Sequence, residues 1–162
     1  MDMNFGHYLA GLIDGEGCFM LNKQTQHKHL SVFYYPRFAL HMRADEMPIL
    51  LQIKEFLGVG NVYTSEATHK NPMAVYQIDS GKDCVALVKI LDICPLRAKK
   101  LDEYKIWRTC VLLKQQKPRH SYLAIGFDEL RRLKSYKEGS ETIISAPVRD
   151  EGIVRPASKD AD

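Results

Sequence analysis

Two carboxylates, Asp14 and Glu16, stand among glycines in the stretch YLAGLIDGEGCF, which runs from Tyr8 to Phe19. Phe5, Tyr8, Leu9, Leu12 and Ile13 recur at helical spacing ahead of them, with Asn4 as the expected N-cap. The helix must stop near Gly15 or Gly17. An acid at a helix C-terminus is opposed by the helix dipole, at a cost of a few tenths of a kcal/mol up to ~1 kcal/mol. A bound cation would relieve that cost. The simpler alternative for Glu16 is a surface acid just past a helix end. Asp14 fits a capping or hydrogen-bonding role at the same end. Ala10 and Gly11 leave one side of the helix almost bare, so another backbone could approach closely.

A second group of chemical interest is basic. Between Arg97 and Arg119, eight Lys and Arg residues are opposed by Asp102 and Glu103 alone. A solvated helix face accommodates such a run, and so does contact with a polyanion.

The elements that must position these groups follow from pattern and punctuation. The stretch CFMLNKQTQHKHLSVFYYPRFALHM is rich in aromatic, β-branched and polar residues, and two strands joined by a polar connection near Gln24 to His29 fit it. Asp45 is placed to cap a helix from Glu46 to Leu57, with Pro48 in its first turn and Gly58 as its stop. A second hairpin follows, turning near Lys70, Asn71 and Pro72. Ser80 is expected to cap a helix with Val85, Val88 and Leu91 on one face. Two more helices are expected, over Ala98 to Leu113 and over Tyr122 to Lys137, the last ending at Gly139.

The order α-ββ-α-ββ-α-α-α implies an α+β domain: one four-stranded antiparallel sheet with helices on one face. Alternation assigns Met20, Asn22, Gln24, Gln26, Arg37, His41, Ser65, Val75, Gln77 and Asp79 to the other face. Polar outward faces are the rule, yet Asn, Gln and Arg are also the side chains that read base edges in a major groove.

Composition bounds these readings. The 162 residues suit one domain, expected over residues 1–146, with an apolar-poor tail over 147–162. Apolar content of 45% and charged content of 27% are those of an ordinary globular protein. No apolar run approaches the ~18 residues of a membrane span. The N-terminus lacks the basic start of a secretory signal. Four widely spaced cysteines, Cys18, Cys84, Cys94 and Cys110, read as reduced thiols. An intracellular location is therefore expected, and an organelle and a prokaryotic cytoplasm both satisfy it.

Residues Leu9 to Gly17, LAGLIDGEG, resemble the signature of the LAGLIDADG homing endonucleases, with seven of nine positions identical. Gly15 replaces Ala and Glu16 replaces Asp, the second keeping the carboxylate. The element order over roughly residues 5 to 140 is also similar to the family's. The resemblance implies a site-specific endonuclease that makes a staggered double-strand break in a long, near-palindromic DNA site. Motif helices of two domains would pack about a twofold axis through Tyr8, Ala10, Gly11 and Leu12. Glu16, with a backbone carbonyl near Gly15, would hold Mg²⁺ over the central minor groove. Metal-activated water would then attack the phosphodiester in line. Mn²⁺ would substitute, and Ca²⁺ would support binding without cleavage.

Arg97 and Lys99, in PLRAKKL, match the family's basic residue near the scissile phosphate. Met42 occupies the position nearest a water-positioning Gln found in some relatives and cannot serve it; His41 or Arg43 could substitute. Lys134 and Lys137 match a region that contacts phosphate, and the outer sheet face would lie along a DNA half-site.

A second motif copy is not evident: YLAIGFDELRR, Tyr122 to Arg132, lacks the paired glycines and is followed by 30 residues. A C2 homodimer on double-stranded DNA is therefore expected. The alternative on the same fold is a maturase, which binds intron RNA and assists splicing. A DNA-binding regulator is a weaker third reading.

Overall fold

The computed structural model describes residues 2–26, 31–65, 72–116 and 120–144, and at residues 26, 31, 120, 121 and 136–144 it describes the backbone alone. The expected turn residues Lys70 and Asn71, residues 27–29 of the first hairpin's expected connection and the expected tail over 147–162 lie outside the described residues, whereas residues 24–26 of that connection continue the first strand.

Helix α1 spans Met3–Glu16. Its N-cap is Asp2 rather than Asn4: the Asp2 carboxylate accepts from the amides of Asn4 (2.9 Å) and Phe5 (3.3 Å). This satisfies two of the donors that a helix N-terminus leaves free. Gly17 ends the helix, and a Cβ there would stand 2.7 Å from the Ile13 side chain and 2.8 Å from the Ile13 carbonyl. Glycine is therefore required at this corner for space.

Strands β1 (Gly17–Gln26), β2 (Ser31–Arg43), β3 (Asn61–Ser65) and β4 (Met73–Ile78) form one antiparallel sheet in the order β1-β2-β4-β3. Phe19 lies opposite Phe38, which lies opposite Ile78; Leu40 lies opposite Tyr76, which lies opposite Val62. These residues face the helices, as period-2 alternation requires. The expected α+β architecture is the one observed.

Helix α2 covers Met47–Leu57, α3 Cys84–Ile93, α4 Lys100–Gln115 and α5 His120–Ile144. A 3₁₀ turn, Ala44–Glu46, precedes α2. Asp45 therefore does not cap α2; it pairs with Arg43 at 2.7 Å. The Ser80 hydroxyl accepts from the amides of Lys82 and Asp83 and shapes the turn before α3. Helix α5 runs through Gly139, where a stop was expected. One glycine costs a helix only about 1 kcal/mol, too little to end it unaided.

The core is centred on Trp107 of α4. Its ring lies 5.1 Å from Phe19, and Phe19 also meets Phe38 at 5.4 Å and Tyr104 at 5.6 Å. The fully buried indole N–H donates to the Arg37 carbonyl at 2.9 Å, which fixes α4 against β2. Helices α3 and α4 are joined at Asp92, which accepts two bonds from Arg108 at 2.7 Å and one from the Tyr104 hydroxyl at 2.9 Å. Hydrogen bonding from Arg108 holds the Asp92 carboxyl below its usual range.

Two glycines after α2 adopt positive φ, Gly58 at 69° and Gly60 at 84°. A Cβ on Gly58 would meet nothing within 4 Å, whereas on Gly60 it would come within 2.8 Å of the Gln77 carbonyl and the Tyr76 ring. Gly58→Ala is expected to lower the unfolding free energy by ~1 kcal/mol, the cost of the left-handed backbone. Gly60→Ala should cost more because a clash is added. Urea denaturation of the two variants checks the order, and equal midpoints would contradict it.

Candidate active site

Glu16 is the last residue of α1 and is exposed. Gly15 beside it is also exposed, and a Cβ there would meet nothing within 4 Å. These two metal candidates therefore lie on an open corner where the helix gives way to β1.

Asp14 has a different task. Its Oδ2 accepts from the backbone amides of Arg97 (2.8 Å) and Ala98 (3.1 Å). Its Oδ1 is buried without a hydrogen-bond partner among the described residues. Asp14 thus pins the segment before α4 to the end of α1, across more than eighty residues of sequence. Arg97 is held there by its backbone; its side chain is exposed and lines a groove with His7, Ala10, Gly11, Asp14 and Pro95. Lys99 is exposed as well.

The basic residue that reaches the corner is Lys100, which sequence reasoning missed. Its ammonium donates to the Gly17 carbonyl, one residue past Glu16. Three basic residues within four positions offer equal charge, and only the rotational setting of the first turn of α4 selects Lys100. Nominating every basic residue of PLRAKKL would have included it.

Lys134, expected on DNA phosphate, is half-buried. Its ammonium donates to the Phe19 carbonyl at 2.9 Å and lies 3.6 Å from Cys18 Sγ. The Phe19 carbonyl takes one of the three N–H donors of this ammonium. Lys137 lies on α5, with its side chain outside the described residues.

The proposed contact face of α1 also needs correction. Tyr8 is 51% exposed, and Gly11 is exposed with open space around it. Ala10, however, is 4% exposed and belongs to the chain's own core, and Leu12 packs on that core. The bare surface of α1 therefore follows Tyr8, Gly11 and Gly15, at helical spacing, rather than Ala10 and Leu12.

The outer sheet face carries what alternation assigned to it. Gln24 and His41 are exposed, and Met20, Asn22, Arg37, Ser65 and Gln77 are half-buried. Gln26 is on the same strand face, with its side chain outside the described residues. Three rows cross the sheet in register: Met20 and Arg37; Ala39, Gln77 and Asn61; His41, Val75 and Tyr63. Val75 is 1% exposed, so it supports its neighbours and is not a contact residue. Asn61 and Tyr63 belong to this face and were missed, although alternation through β3 from Ser65 leads to both. Met42 packs against the core, on the helix side of β2. Of its two suggested substitutes, Arg43 is held by Asp45, whereas His41 is exposed on the outer face.

No group of three or more His, Cys, Asp or Glu residues able to hold a metal occurs among the described residues. The corner supplies oxygen donors only, with a single exposed carboxylate at Glu16. That set would suit a hard, largely hydrated cation and does not by itself form a complete cage.

With this geometry in view, the relatives are informative. Residues 9–111 match the family model described as LAGLIDADG endonuclease. The chain is 28% identical, over 110 residues, to the probable intron-encoded endonuclease Cox1-I1b of Schizosaccharomyces pombe; the match covers 68% of this chain and 28% of that protein. The homing endonuclease I-TnaI shares the fold, with a TM-score of 0.65 at 20% identity, over 86% of this chain and 97% of that one. The meganuclease I-AabMI bound to uncleaved DNA superposes with a TM-score of 0.62 at 27% identity, over 80% of this chain and 43% of that one. The chain belongs to the LAGLIDADG endonuclease family. It spans about a quarter of the length of the curated relatives it matches.

The Asp14 tie generates a test. Two amide bonds to a carboxylate are each worth ~1.5–3 kcal/mol when one partner is charged. Asp14→Ala is expected to lower stability by about 2 kcal/mol or more. An unchanged urea midpoint would show that the tie is not what holds the segment.

Proposed function

We propose that this chain is a site-specific homing endonuclease that makes a double-strand break in a long, near-palindromic DNA site. The observation that carries the reading is Glu16. In a chain of this family, it stands exposed at the end of α1 with the Lys100 ammonium at the adjacent Gly17 carbonyl. Glu16 and the Gly15 carbonyl would hold Mg²⁺. When bound, the metal supplies a Lewis acid and an ionised water for phosphodiester hydrolysis. Mn²⁺ would replace it, and Ca²⁺ would permit binding without cleavage.

The chain's own groups do the remaining work. Glu16 fixes the position of the cation. Lys100 adds positive charge beside the scissile phosphate and stabilises the charge that builds up there. Arg97 and Lys99, exposed on the same segment, draw the backbone in. Asp14 is a positioning residue that keeps this segment at the corner. The outer sheet face lies in the major groove of a half-site.

A second motif helix would pack on the Tyr8, Gly11 and Gly15 surface. We propose that a second copy of the chain supplies it about a twofold axis, which gives the near-palindromic target. No observation on this chain favours the RNA-binding maturase alternative.

The test is cleavage selection on a randomised duplex library with Mg²⁺. The wild-type chain should enrich a two-fold-symmetric site, and its affinity should fall steeply with salt. Glu16→Gln should abolish cutting and keep binding; normal cutting by that variant would overturn the assignment. Lys100→Ala should slow cleavage by ~100-fold, measured as a single-turnover rate, whereas an unchanged rate would return the role to Arg97 or Lys99.

A further inference from the structure

The outer sheet face carries a hydrogen-bonded chain that crosses three strands. The Tyr63 hydroxyl of β3 donates to Gln77 Oε1 of β4 at 2.8 Å. Gln77 Nε2 donates to Asp79 Oδ1 at 2.6 Å. Asp79 also pairs with the Arg37 guanidinium of β2. The register explains the meeting: Phe38 lies opposite Ile78, so Arg37 and Asp79 are the next cross-strand pair, and Tyr63 lies diagonal to Gln77.

Ionised carboxylate oxygens only accept hydrogen bonds. The Gln77 amide must therefore turn its NH₂ toward Asp79, and its Oε1 must accept from Tyr63. One N–H and one oxygen lone pair of the amide remain for a ligand, with their order along the sheet set by the protein. A free glutamine could flip and present the reverse order. An acid is also out of place on a face that approaches phosphates, unless it holds something there.

We propose that Tyr63 and Asp79 are positioning residues that lock Gln77 to read adenine, and that Asp79 restrains Arg37 at the neighbouring contact. The inference rests on the endonuclease reading and deepens it. A fixed donor and acceptor pair matches the N7 acceptor and N6 donor that adenine presents in the major groove. The partially neutralised Arg37 contributes less to indiscriminate phosphate attraction than a free guanidinium, which favours specific over unrelated DNA.

The experiment selects bound sites from a randomised duplex pool with the full chain in Ca²⁺. It compares wild type, Gln77→Ala, Tyr63→Phe and Asp79→Asn. Wild type should prefer adenine ~10-fold or more at one half-site position, and Gln77→Ala should erase that preference. Tyr63→Phe removes one hydroxyl and keeps the ring; it should bring the preference below about threefold and leave other positions unchanged. Asp79→Asn, whose amide can donate or accept, should relax the same position and raise affinity for unrelated duplex. A merely structural pair would weaken all positions together or none. Wild type selecting a site while both Tyr63→Phe and Asp79→Asn reproduce its profile would overturn this inference alone. Wild type binding no duplex would overturn the endonuclease reading and this inference with it.

Discussion

Everything in this structure that bears on chemistry depends on how the chain leaves α1. At Gly17 a methyl group would collide with Ile13, so the corner can be this tight only with glycine. Tightness places Glu16 on the last turn of a helix whose opposite side is embedded in the core through Leu9, Ala10 and Ile13. The acid is thus exposed but not mobile in the manner of a loop residue. Asp14 and Lys100 then converge on the same corner from inside the fold, one taking amides of the segment before α4 and the other donating to the Gly17 carbonyl. Positive charge arrives beside negative charge without forming an ion pair that would spend both.

The sheet is held in register with that corner by a separate device. Trp107 reaches from α4 to the Arg37 carbonyl, and α4 is the same helix that begins with Lys100. One rigid element therefore links the corner to the middle of the outer sheet face. The proposed catalytic corner and the proposed recognition surface therefore cannot drift relative to each other unless the aromatic cluster of Phe19, Phe38, Tyr104 and Trp107 gives way.

Much of this was legible from residue types. The period-2 pattern placed Asn22, Gln24, Arg37, His41 and Gln77 on one face, because a strand permits only two directions for a side chain. The signature at Leu9 to Gly17 singled out Glu16 as a candidate, and the structure leaves it exposed at the end of α1. What stayed hidden depended on rotation and distance. Lys99 and Lys100 differ by one step around a helix, and only packing decides which points at α1. Ala10 looked available because it is small, but the core used its methyl. Lys134 was expected on phosphate from the family resemblance, and no local signal announces the Phe19 carbonyl it meets. Asp14 found its partners more than eighty residues away.

The two lysine contacts to β1 have a consequence of another kind. Gly17 and Phe19 are two apart on an edge strand, so their carbonyls point outward where an unpaired strand would offer them to any passing chain. Lys100 and Lys134 occupy both. An incoming strand would have to strip away two ammonium groups and bury the place they vacate. Sheet extension is thereby discouraged along this side, and the edge is guarded against runaway association by charges that stand beside the corner at Glu16.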